Sequence, residues 1–121
     1  MPSHLHALVG TPASVNISKF VQTFKSLSSR ELKAYALDSY GDRFMKSGRF
    51  AFWKRGFDEL QIWSDRQFRI KLEYIHNNPV KARLVEDAPE YEYSSARDWL
   101  TDEHGHLEID KDFRWISSAA L

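Results

Sequence analysis

The sequence predicts an α+β fold, and three observations carry that prediction. Two segments repeat apolar residues at helical spacing: Ile17, Phe20, Val21, Phe24 and Leu27 in one, Phe68, Leu72 and Ile75 in the other. Three shorter runs, residues 4–9, 50–53 and 57–63, are apolar and aromatic and read as extended structure. The 121 residues, 42% hydrophobic and 14% aromatic, suffice for one globular domain with a sizeable core but not for two ordinary ones.

Each element follows from local chemistry. Residues 4–9 (HLHALV) form a strand that Gly10 and Pro12 stop. Asn16 or Ser14 caps a helix from about Ile17 to Leu37, with Ser28-Ser29 able to divide it. Residues 38–51, with Gly41 and Gly48, read as a loop. The aromatic runs 50–53 and 57–63 follow, separated by Lys54-Arg55-Gly56. Ser64 or Asp65 caps a helix from about Arg66 to Asn77, which Pro79 ends because a residue before proline is pushed from helical angles. An acidic connector, EDAPEYEY, leads to a short helix started by Ser94 or Ser95 and running through Leu100. A polar tail ends in a weakly amphipathic stretch, DFRWISSAAL.

Composition excludes several classes. With no cysteine, disulfides, iron–sulfur clusters and cysteine-held zinc are ruled out, so any metal must sit on His, carboxylate or amide oxygen. No apolar run is long enough to span a bilayer and the N-terminus has no signal pattern, so no membrane partner and a cytoplasmic location are expected. The net charge of zero hides a division. Residues 1–85 hold fourteen Lys and Arg against seven acids, a charge of +7, and residues 86–121 hold three against ten, a charge of −7. That pattern fits a basic working surface with an acidic tail, and equally a solvated surface whose charges segregate.

Two places could carry chemistry. On a strand, His4 and His6 project to the same face roughly 7 Å apart, close enough to share one metal ion. Two surface histidines near a terminus is the plainer reading. In KLEYIHNNP, Tyr74 and Asn78 lie four apart on one helix face, with Lys71 a turn earlier. Phe68, Leu72 and Ile75 occupy a neighbouring sector that can dock. A phenol with an ordinary pKa near 10 becomes a useful nucleophile only beside positive charge or a metal-bound substrate. A helix-edge tyrosine beside a solvated lysine fits the spacing as well. Trp53, Phe57 and Trp63 suit core packing more than base stacking, and His76 suits a hydrogen bond that fixes the helix end. His104 and His106 repeat the spacing of the first pair, but around a glycine in the acidic tail, and receive no role.

Taken in order, MPSHLHALV, ISKFVQTFK, FWKRGFDELQI, KLEYIHNNPVKARLV and YEYSSARDWL resemble the REP-associated tyrosine transposases, single-tyrosine members of the HUH (His-hydrophobic-His) nucleases. The resemblance covers roughly residues 1–100, which it makes a transposase-like nuclease domain, with residues 101–121 an acidic C-terminal extension. It implies a small antiparallel sheet packed with helices, and cleavage and rejoining of single-stranded or hairpin DNA without ATP. By that resemblance Tyr74 is the catalytic nucleophile and is left on a 5′-phosphate. His4, His6 and Asn78 hold Mg²⁺ or Mn²⁺, which hard oxygen donors favour over zinc. Lys54, Arg55, Lys71, Lys81 and Arg83 bind DNA, and a homodimer is left open.

Two departures accompany it. Family members usually carry several tens of residues before the histidine strand, so the first strand or strands of the family sheet are expected to be missing here. Arg83 also stands where the family commonly has glycine, in a position suited to a left-handed backbone. The competing readings are a catalytically inactive DNA-binding remnant and a truncated product without function.

Overall fold

The computed structural model of the protein describes residues 1–112. The sequence beyond Asp112, which holds nearly all of the predicted amphipathic stretch, lies outside the described residues. The fold is α+β, with α1 (Ile17–Tyr40), β1 (Met45–Lys46), β2 (Arg49–Phe50), α2 (Asp65–Lys81), a 3-10 turn at Ala88–Glu90 and α3 (Ala96–Leu100). Two compact units form: Thr11–Leu60, and Met1–Gly10 together with the chain from Gln61 onward.

In the first unit, Asn16 opens α1 by accepting the Lys19 amide at 3.0 Å, as its short polar side chain predicts. The helix is not divided at Ser28-Ser29. Ser28 turns its hydroxyl back onto the Phe24 carbonyl at 2.7 Å, so it is satisfied inside the helix rather than breaking it. The Trp53 indole N–H donates to the same hydroxyl at 2.9 Å and its ring lies 5.8 Å from Phe24. Lys25 caps the loop that follows, donating to the carbonyls of Lys54, at 2.9 Å, and Gly56.

Residues 38–51, read above as loop, hold the last turn of α1 and a tight hairpin. Met45 pairs with Phe50 and Lys46 with Arg49, antiparallel. Ser47 and Gly48 both take positive φ, 48° and 73°. A two-residue turn of that hand matches the natural twist of two strands, which is why four residues suffice for a ladder. Among the described residues this is the whole sheet. Residues 4–9 and 57–63 enter no ladder, and of the run 50–53 only Phe50 does. Alternating apolar residues state which face is to be buried, not where a partner edge will come from. Without that edge, Leu5, Val9, Leu60 and Trp63 stay exposed.

In the second unit, Ser64 caps α2 by accepting the Gln67 amide at 3.2 Å, while Gln67 reaches back to the Trp63 N–H at 2.8 Å. The helix passes through Pro79 instead of ending at Asn77. Proline removes one N–H, but the turn after it closes well: Leu84 N–H donates to Pro79 O at 3.0 Å and Arg83 N–H to Val80 O at 2.9 Å. Those two bonds form the closure that usually ends on a left-handed glycine. Here Arg83 takes that position, with φ at 58°. Pro79 itself is buried.

Behind α2, Glu90 accepts the amides of Glu86 and Asp87 at 3.1 Å, shaping the connector into its 3-10 turn. Ser94 accepts the Ala96 amide at 3.1 Å where α3 begins. Asp98 is buried and accepts the Gly105 N–H through both oxygens, at 3.2 and 3.1 Å, which folds the start of the tail back on α3. A Cβ at Gly105 would meet Asp98 Oδ2 at 2.8 Å, so the carboxylate occupies the space a side chain would need.

The left-handed Arg83 generates a prediction. Arg83→Gly removes the contact between Cβ and backbone that costs L-residues about 1 kcal/mol in this conformation. Chemical denaturation should show the variant more stable by about that amount, less what glycine gains in the unfolded chain. A loss of stability would show that Arg83 makes a compensating contact.

Candidate functional site

The second unit gathers six of the residues singled out above: His4, His6, Lys71, Tyr74, Asn78 and Lys81. Because α2 continues past Asn77, Asn78 and Lys81 occupy helical positions. At about 100° per residue, Lys71, Tyr74, Asn78 and Lys81 fall within an arc of roughly 80°. Asn78 Nδ2 donates to His6 Nε2 at 2.9 Å, joining positions far apart in sequence. The His6 ring lies edge-on to Tyr74 with centroids 5.7 Å apart, and the His4 and His6 rings meet edge-on at 4.7 Å. Lys71 Nζ stands 5.9 Å and Lys81 Nζ 5.6 Å from the centre of the Tyr74 ring. The phenol, 48% exposed, is therefore flanked by two ammonium groups and still open to an incoming molecule.

Electrostatics keep His6 neutral. Its burial first, then His4 and the terminal ammonium, push its pKa below the usual imidazole value. The neutral ring offers the Nε2 lone pair that Asn78 now engages. On His4, a hydrogen bond with Ser3 Oγ at 3.0 Å occupies Nδ1. A hydroxyl in that place can orient the ring so that the opposite nitrogen faces a ligand. Ser3 was not foreseen; its signal was only a small hydroxyl next to the histidine.

The donor chemistry fits a small divalent cation. Two donors about 2.1 Å from such an ion and at right angles lie about 3.0 Å apart. The 2.9 Å between His6 Nε2 and the Asn78 amide matches that edge, and half a turn of the amide exchanges its nitrogen for the oxygen. Among the described residues no three His, Asp or Glu side chains cluster to hold a metal, and the Asn78 amide is a further side-chain donor that meets His6.

Other candidates stand elsewhere. Arg83 forms the helix-closing turn. Lys54 and Arg55 belong to the other unit, where the Lys54 carbonyl receives Lys25. Trp53 packs on Phe24 and Phe52, as core packing predicts, while Phe57 and Trp63 are exposed. His76, 4% exposed, shares a hydrogen bond with Ser95 Oγ at 3.0 Å. It lies about 200° around the helix from Tyr74, so it holds the back of α2 while the front carries the phenol and amide. His104 stands 3.6 Å from Asp98 and His106 2.9 Å from Glu92, both far from this face in role: they fasten the tail.

The family model described as transposase IS200-like matches residues 1–78, the stretch that ends on Asn78. The chain belongs to the IS200-like transposase family. It is also 30% identical over 98 residues to a protein of Haemophilus influenzae described as a REP-associated tyrosine transposase, a match covering 78% of this chain and 54% of that relative. The chain thus spans about half the length of the curated relative it matches. No solved structure matches it. Like the family match, the geometry runs from the N-terminal histidines to the α2 amide of this transposase-family chain. Among its described residues no helix is long and apolar enough to cross a membrane.

The buried imidazole behind α2 predicts a pH dependence. Burial lowers the His76 pKa, so the unfolded chain takes up the proton first. Its contribution is complete above the ordinary imidazole value near 6.5 and is lost as pH falls below it. His6 acts in the same window, whereas Asp98, held below the usual carboxylate range chiefly by the Gly105 N–H, acts only in stronger acid. Thermal unfolding followed from pH 7.5 to 5 should fall less steeply for His76→Gln than for the parent chain. Parallel slopes would show that folding leaves the His76 pKa unchanged.

Proposed function

We propose that this transposase-family chain nicks and rejoins single-stranded DNA, including strands that fold into hairpins, through Tyr74, with Mg²⁺ or Mn²⁺ held by His4, His6 and Asn78. The observation that carries this reading is the meeting of His6 with both Asn78 and Tyr74 on one face. A cation bound there would withdraw electron density from a phosphodiester oxygen and stabilise the negative charge that builds up at phosphorus.

The chain's own groups do the rest. The Tyr74 oxygen, its proton given up to solvent or a nearby base, attacks phosphorus and forms a phosphotyrosine bond to the 5′ side. The P–O bond to the 3′ oxygen breaks, and that oxygen takes a proton to become a hydroxyl. Attack by a 3′ hydroxyl on the phosphotyrosine reverses the sequence and releases the phenol, so no ATP is needed. Lys71 and Lys81, on either side of the phenol, hold the phosphate being attacked and its neighbour by charge. Lys54, Arg55 and Arg83 supply further cationic contacts, and a cytoplasmic setting and homodimer formation complete the reading.

A second reading has an observation of its own. Residues 4–9 enter no ladder and His4 is exposed, which suits a remnant that binds DNA without cleaving it. Incubation with labelled hairpin oligonucleotides and Mn²⁺ separates the two. The first reading predicts a protein–DNA adduct on a denaturing gel, absent from Tyr74→Phe and reduced at least tenfold in His6→Ala. Salt-sensitive binding with no adduct under any metal would support the remnant instead.

A further inference from the structure

The hairpin of the first unit presents a charge arrangement that the proposed nuclease site does not use. Lys46 and Arg49 are direct cross-strand partners, both exposed, beside the two-residue turn. Like charges placed opposite each other on a strand pair oppose pairing. Here they are borne by a ladder of only two residue pairs, whose turn also holds Ser47 at positive φ. Arg43 adds a third cation just before β1. Among the described residues none of the three has a carboxylate within ion-pair distance, although Asp38 and Asp42 are near in sequence. A repulsive pair beside a tight turn, with no counter-ion among the described residues, is an arrangement that an anion relieves.

The neighbouring surface indicates which anion. Met45 and Phe50, the other cross-strand pair, turn inward, and Phe50 meets Phe44 at 6.4 Å. Phe44 in turn supports the Tyr40 ring at 5.9 Å, and Tyr40 supports Tyr35 at 6.2 Å. Tyr40 is 50% and Tyr35 61% exposed, so two part-exposed phenol rings are joined through Phe44 and Phe50 to the hairpin that carries the cations. Cations that follow a backbone and rings that accept bases are the two parts of a single-strand binding surface.

We propose that the Met45–Phe50 hairpin is a contact site for unpaired nucleic acid, with Lys46 and Arg49 gripping a phosphodiester and Tyr40 and Tyr35 stacking bases. The site rests on the DNA reading above for its class of ligand, but it is separate from the tyrosine chemistry and can stand or fall alone.

Lys46→Glu tests it in the 121-residue chain. The substitution turns a repulsive cross-strand pair into an attractive one, so Tm should hold or rise. Fluorescence anisotropy with labelled (dT)16, without added metal, reads the binding. Loss of Lys46 and neutralisation of Arg49 should make the slope of log affinity against log salt shallower by about 1.4, two single-strand phosphate contacts at about 0.7 each. Tyr40→Ala should weaken binding severalfold with the slope unchanged. Two readouts keep the ideas apart: adduct formation on a denaturing gel reads the tyrosine chemistry, whereas metal-free (dT)16 binding compared between the parent chain and Lys46→Glu reads the Met45–Phe50 turn whether or not the parent cleaves DNA. Unchanged affinity in Lys46→Glu with an intact Tm would overturn the site, as would a parent chain that binds no (dT)16. An equal loss on (dT)16·(dA)16 duplex would overturn its preference for unpaired strands.

Discussion

One hydrogen bond, from Asn78 to His6, assembles the candidate site. It joins the N-terminal segment to a helix 72 positions later, and the edge contact of His6 with Tyr74 reinforces it. A neutral hydrogen bond contributes about 1 kcal/mol net, close to the entropy lost in fixing a single residue. The segment makes no ladder bonds that would add to it. The hydrogen bond that places the histidines against α2 is thus of small magnitude. Any ligand that took up His6 and Asn78 together, as the proposed cation would, would strengthen the assembly by mass action.

The other half of the site is far better fixed. Ser64 caps α2, and bonds from Arg83 and Leu84 to the carbonyls of Val80 and Pro79 close it. His76 pins its back to Ser95. Pro79 costs the helix one internal bond, yet the helix keeps going, and its last turn is the one that carries Asn78 and Lys81. Cation, phenol and amide share a face because that turn is helical. The protein carries Tyr74 on a capped and closed helix and the histidines on a segment that enters no ladder.

What was legible in the sequence follows this division. The α2 cap, the shared face of Lys71, Tyr74 and Asn78, and the hydrogen-bonding role of His76 could be read because helical geometry is local: spacing alone fixes direction. The family could be read from the same stretch. Pro79 misled as a helix terminator, because the closing bonds that tolerate it come from residues beyond the proline. The strands misled more. HLHALV and residues 57–63 have the right side chains for a sheet, but a strand exists only with a partner edge, and pairing is not encoded at either segment alone. The hairpin at Met45–Phe50 hid inside an apparent loop because its signal, Ser47-Gly48, is weaker than the Asn-Gly or Asp-Gly pairs that announce such turns. Ser95, joined to His76 from 19 positions away, left no local signature, and Ser3 beside His4 offered only a hydroxyl next to an imidazole.

The tautomer of His6 bears most directly on the central contact. With the Asn78 amide donating to it, Nε2 must be unprotonated and the proton must sit on Nδ1. Long-range proton–nitrogen correlation spectra of the histidine rings at neutral pH should therefore show His6 as the neutral Nδ1–H form, and Asn78→Ala should mix the tautomers while returning the amides of residues 4–9 toward random-coil positions. A His6 ring that is protonated on Nε2 in the parent chain, or N-terminal amides indifferent to Asn78→Ala, would contradict the account.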